Sequence, residues 1–153
     1  MSRRGQIKFS DAELAAFLQE QRVVVCATNG VSGWPHLMPL WYVIRDGEVW
    51  AWTYGKSQKM RNLERDPRAT LQIEAGDSYD QLRGAMIEAD TEIHRETEVV
   101  AKLGAELAER YGSGALSPEA WEAIRAQAPK RVALRFIPRR TATWDHRKLA
   151  GGY

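Results

Sequence analysis

Between Thr53 and Lys59 the sequence crowds groups that can hold an anion: Thr53, Lys56, Ser57 and Lys59. They fall where a short basic helix is expected to begin, just after a strand. A helix start leaves backbone N–H groups unpaired and carries a partial positive charge, so it suits a phosphate. Lys56 and Lys59 stand three apart, a spacing that would put both ammonium groups on one helix face. Other chemistries lack their residues. There is no Gly-x-Ser-x-Gly nucleophile motif and no pair of histidines at metal spacing. His36, His94 and His146 are scattered, the carboxylates form no paired motif, and neither a catalytic residue nor a metal ligand is assigned. Cys26 sits in an apolar run, which predicts an inert buried thiol.

The elements around this corner are explicit. Asp46-Gly47 separates two apolar, aromatic-rich runs, a strong hairpin signal. The returning strand, 48–53, puts Trp50 and Trp52 on one face and Val49, Ala51 and Thr53 on the other. The helix follows and stops at Asp66-Pro67. The corner is therefore expected to hold the phosphate of a flavin-like cofactor. A protein of this kind leaves its redox chemistry to the cofactor and supplies orientation and electrostatics.

Elsewhere, residues 1–9 are expected to be loose. Ser10 and Glu13 make a capping box for a helix over 11–20. Residues 23–28 read as a strand buried on both faces, and 36–45 as a strand that Pro39 interrupts. Pro39 marks either an edge strand or an opening that turns the backbone of Leu40 and Trp41 toward a ligand. Strands are expected over 69–75, 82–95 (Met86 and Ile87 inside), 132–137 and 140–145. Helices are expected over 96–111 and from Ser117-Pro118 onward. The sum is a mainly β chain of about six antiparallel strands with connecting helices, a small barrel forming one domain over 1–153.

The 153 residues are 44% hydrophobic and 27% charged, an ordinary globular composition with a net charge of +2. No apolar run spans a bilayer, no secretory h-region is present, and the one cysteine suits a reducing compartment, so a cytoplasmic protein without a membrane partner is expected. Cationic residues cluster in 56–68 and 130–148 around an acidic middle. That pattern suits a small anionic ligand better than nucleic acid, which ranks last among the readings.

The Pro39-bearing strand, the Asp46-Gly47 hairpin, Thr53-x5-Lys59, Asn62-Leu63 and Asp66-Pro67-Arg68 together resemble the pyridoxamine-phosphate-oxidase-like split β-barrel superfamily. The ending Trp144-Asp145-His146-Arg147-Lys148-Leu149, followed by glycines, resembles its branch B, which uses the deazaflavin coenzyme F420. The resemblance implies a homodimer with two cofactors in clefts between the copies. It implies that Lys56, Ser57 and Lys59 hold the phosphate with Thr53 nearby, that Pro39, Leu40 and Trp41 flank the tricyclic ring, and that Met60 and Asn62 support the phosphate helix. It also implies that Trp144 and Lys148 of the second copy close the cleft. The activity implied is an F420H2-dependent reductase, passing hydride to an activated double bond of a small conjugated acceptor such as an enone or a tetrapyrrole. The alternatives are an FMN-dependent oxidoreductase on the same fold and a non-catalytic F420 carrier. The phosphate-binding set and C-terminal substrate pattern of a true pyridoxamine phosphate oxidase are not matched, which points away from vitamin B6 oxidation. His146, Tyr42 and Tyr54 are the candidate proton donors.

Overall fold

Antiparallel strand pairing dominates the computed structural model, which describes residues 2–112 and 114–149. Ser113 and the tail glycines Gly151 and Gly152 thus lie outside the described residues. The strands are β1 (Val24–Asn29), β2 (Pro35–Leu40), β3 (Val43–Arg45), β4 (Glu48–Tyr54), β5 (Arg68–Ala75), β6 (Arg83–His94) and β7 (Arg131–Asp145). They form one sheet in the order β2-β1-β5-β6-β7-β4-β3. The two edge strands, β2 and β3, are consecutive in the chain and joined only through residues 41–42. Leu40 and Val43 can be at most about 11 Å apart across that link, so the sheet must curl until its edges converge. The result is a mainly β half-barrel whose seam lies at Trp41-Tyr42.

Alternation along the strands fills the barrel. Val24, Cys26, Leu71, Ile73, Ile87, Leu134 and Phe136 point inward, and α2 (Asp11–Glu20) plugs one end with Phe17 and Leu18. The Ser10–Glu13 capping box forms as expected. The other face of β4 and β7 carries Trp50, Trp52 and Ala133. It is covered by α4 (Thr97–Tyr111) and α5 (Pro118–Gln127) through Val100, Leu103, Leu107 and Ile124. Asp46 (φ 51°) and Gly47 (φ 78°) are both left-handed, the two-residue turn that the Asp-Gly signal demands.

Several expectations are corrected. Of the two readings of Pro39 the edge strand holds and the opening does not: Pro39 stays in register with Val25 on the outermost strand, β2. The break falls at residues 41–42, where the chain crosses from one edge to the other. Residues 131–145 form one strand, because a bulge opposite Glu88/Ala89 absorbs Arg139 while Pro138 pairs with Ala89. Seven strands result among the described residues. β1 is buried on one face only, with Val25 and Ala27 half-covered. Met86 is half-exposed on the face opposite Ile87. The N-terminus is tied down: residues Arg3–Gln6 form a short helical turn, α1, the Asp145 N–H donates to the Ile7 carbonyl at 2.7 Å, and the Phe9 N–H donates to Thr143 Oγ1 at 2.9 Å. No helix is long and apolar enough to cross a membrane among the described residues.

Gly104 lets α4 approach the sheet. A Cβ there would stand 2.5 Å from the Trp52 ring. Gly104→Ala should therefore lower stability by about 1–2 kcal/mol, overpacking outweighing the ~1 kcal/mol gain in helix propensity. Urea denaturation measures the sign.

Candidate functional site

The corner expected to hold a phosphate is built by α3 (Gln58–Arg65), which leaves the end of β4. Ser57 caps it, its Oγ accepting from the Met60 N–H at 3.3 Å. Met60 and Leu63 are buried in the barrel core and seat the helix. Asn62, wholly buried, donates through Nδ2 to Thr28 Oγ1 at 3.1 Å and accepts from Gln58 Nε2 at 3.0 Å, stitching α3 onto β1.

Lys59 lies on the same helix and points inward. It is 4% exposed, and its Nζ donates to Thr53 Oγ1 at 3.3 Å. Thr53 is itself buried, on the core-facing side of β4. An ammonium has three donors, and among the described residues no carboxylate pairs with this one. Burial holds the Lys59 amine below its ordinary pKa and pushes the neighbouring Cys26 thiol up to about 11. Cys26 is thus the inert thiol expected. Lys56 precedes the Ser57 cap and is exposed, so the two lysines do not share a helix face as their spacing suggested.

The Asp66-Pro67-Arg68 segment works as a latch. Asp66 accepts from the Arg68 guanidinium at 2.8 and 3.0 Å and from Asn29 Nδ2 at 2.9 Å. These bonds hold its carboxyl well below the usual range, the Arg68 side chain contributing most. The latch ties the end of α3 to the end of β1.

Pro39 and Leu40 lie on the edge strand β2 and Trp41 on the seam. Trp41 is 58% exposed, and its ring stacks on Tyr111 at 4.5 Å and 2°. Trp34, just before β2, and Leu37 and Met38, on its two faces, are also exposed apolar side chains. Trp144 and Lys148 are not brought to this corner in one chain. Thr53 pairs with Val132 at the opposite end of β7 from Trp144. The Trp144 ring packs over Gly84, and Lys148 Nζ donates to the Lys8 carbonyl at 2.7 Å and pairs with Glu13 at 2.6 Å.

The three candidate proton donors are placed as follows. The Tyr42 hydroxyl is buried, donates to the Leu18 carbonyl at 2.7 Å and is pushed up to about 12 by burial, so it holds its proton as a structural bond. His146 Nδ1 sits 2.8 Å from the Tyr79 carbonyl, and the Tyr54 ring lies under the Arg131 guanidinium at 4.0 Å. Tyr111 escaped the sequence reading, since nothing local distinguishes the last residue of an amphipathic helix.

The family model described as Pyridoxamine 5'-phosphate oxidase matches residues 10–145. The chain belongs to the pyridoxamine 5'-phosphate oxidase family. Within that oxidoreductase superfamily the fold is shared with solved structures. The conserved hypothetical protein Rv2991 from Mycobacterium tuberculosis is 42% identical, over all of this chain and 95% of that one, with a TM-score of 0.90. An F420 reductase aligns over 82% of this chain and 93% of its own at 20% identity and TM-score 0.65. HutZ, the heme storage protein from Vibrio cholerae, aligns over 88% and 93% at 18% identity and TM-score 0.67. The last two likenesses are of fold. No curated protein matches the chain in sequence.

Proposed function

We propose that this family member binds the phosphate of coenzyme F420 at the α3 corner and acts, as a homodimer, as an F420H2-dependent reductase of small conjugated acceptors. The observation that carries the reading is Lys59: a lysine 4% exposed, with no carboxylate partner among the described residues, beside a Ser57-capped helix start. A buried cation without a counter-charge is costly, and a phosphate relieves that cost. Lys59 and the α3 amides would hold the phosphate, with Thr53 orienting the ammonium and Lys56 adding charge from outside. Asn62 and Met60 keep the helix in place. Pro39, Leu40 and Trp41 would flank the ring, and the apolar surface of β2 is the face a second copy would cover, bringing its Trp144 and Lys148 to the cleft. Lys148 would first have to exchange its Glu13 partner. The bound coenzyme supplies the hydride; the chain's part is to orient the ring and the acceptor and to exclude water.

The choice of deazaflavin over FMN draws on the Trp144–Leu149 ending and is consistent with the fold shared with an F420 reductase. FMN satisfies the same phosphate corner and is the second reading. Titration with each cofactor, followed by addition of enones and tetrapyrroles to the reduced complex, tests both. Tighter binding of F420 and acceptor-dependent loss of F420H2 are expected. Binding without turnover of any acceptor would leave a carrier, and tighter FMN binding would favour the second reading.

A further inference from the structure

We infer that Tyr111 is a positioning residue for ring binding: it holds the Trp41 indole flat as the platform on which the cofactor's tricyclic ring lies. The inference rests on the cofactor reading above. Its independent ground is the seam, where the chain leaves one sheet edge and Trp41 has no strand to fix it.

Tyr111 fixes Trp41 twice. Its hydroxyl accepts from the Tyr42 N–H at 3.1 Å and lies 2.8 Å from both the Tyr42 and Arg22 carbonyls, so it grips the peptide that follows Trp41. Its ring lies parallel to the indole at 4.5 Å. The Arg22 and Arg110 guanidinium groups stand over the same tyrosine ring at 5.3 and 5.5 Å. Arg110 is itself anchored to the carbonyls of Leu18, Gln19 and Gln21. The stack is therefore built from the scaffold outward and ends in an indole that is 58% exposed. A large side chain immobilised before the ligand arrives loses little rotamer freedom on binding, and offset-parallel stacking suits a flat conjugated ring.

The position suits the same ligand. Met38 pairs with Cys26, the thiol beside Lys59. Trp41 lies three residues further along the chain, at most about 11 Å away, which is within the reach of a short sugar-phosphate chain between an anion and a ring.

The test uses the full chain with three probes: oxidised F420, FMN and inorganic phosphate. Tyr111→Leu should weaken whichever ring ligand binds by about three- to tenfold and leave the affinity for inorganic phosphate unchanged. Tyr111→Phe keeps the ring and loses the hydroxyl. It should unfold at lower urea yet bind the ring ligand within about twofold of wild type, with the same shift in the ligand's visible absorption band on binding. Equal losses in the Phe and Leu variants would reduce Tyr111 to scaffold and overturn the inference. So would an unchanged ring affinity in Tyr111→Leu, including the case in which the variant instead shifts the monomer–dimer balance because a second copy covers Trp41. Lys59→Ala separates the two levels. If it leaves both phosphate and ring affinity intact, or if wild type binds neither ring ligand, the cofactor reading falls and this inference with it.

Discussion

Lys59→Met is expected to make the ligand-free protein more stable and to weaken cofactor binding strongly. The two effects share one cause. In the folded chain the ammonium is withdrawn from water, has one neutral hydrogen-bond partner, Thr53, and faces a thiol held in its neutral form. Methionine has similar length and no charge to desolvate. Stability should rise by about 1–3 kcal/mol, the scale of burying a polar group with too few partners. Binding should fall at least tenfold, since one charge-assisted contact is worth roughly 1.5–3 kcal/mol. The pH dependence carries the same signature. Burial lowers the Lys59 pKa in the folded state, so between the folded and unfolded values the unfolded chain binds more protons and stability rises with pH. Below that window both states are protonated and the full cost is present. Cys26, pushed up to about 11, acts oppositely: its folded form keeps a proton that the unfolded chain releases, so stability falls as pH rises toward that value. Subtracting the Lys59→Met stability curve from that of wild type isolates the lysine. The difference should climb through the alkaline range. A flat difference, or a variant less stable than wild type, would mean that the Thr53 contact outweighs desolvation and that no ligand is needed to satisfy the charge.

Leu63→Ala is expected to do the reverse, costing stability and largely sparing the site. Leu63 is 2% exposed and, with Met60, is the apolar anchor of α3 in the barrel. Truncating a buried leucine costs about 2–5 kcal/mol, which for a chain of this size lowers Tm by roughly 10 °C. Ser57, Thr53 and the Asn62–Thr28 bond are untouched. Below its transition the variant should bind cofactor within a few-fold of wild type. Thermal melts with and without ligand measure both quantities. A stability loss below about 1 kcal/mol would show that α3 is not seated by this residue, and Asn62 would become the principal anchor.

Much of this was legible in local sequence. Asp46-Gly47 fixed a hairpin because only a left-handed pair makes that turn. Ser10 with Glu13, and Ser117 before Pro118, gave helix starts within a residue, because caps are local chemistry. The fold class and the family followed from the motifs around Thr53 and Asp66. What stayed hidden depends on neighbours distant in sequence. Spacing put Lys56 and Lys59 on one face, but a cap at Ser57 leaves Lys56 outside the helix. Nothing near Lys59 says that it turns toward Cys26, 33 positions earlier. Pro39 left an edge strand and an opened strand both standing, because a proline costs a ladder bond except at an edge, and which strand is an edge is a property of the whole sheet. Tyr111 meets Trp41 only because the seam and the end of α4 converge in space.

The proline on the outermost strand has one more consequence. An apolar border strand carrying Leu37, Met38 and a nearby Trp34 is ordinarily an invitation to endless strand-by-strand growth into fibres. Pro39 withholds a donor from that border, so a foreign strand meets an interrupted ladder. Growth of the sheet by backbone pairing is thereby blunted at this border.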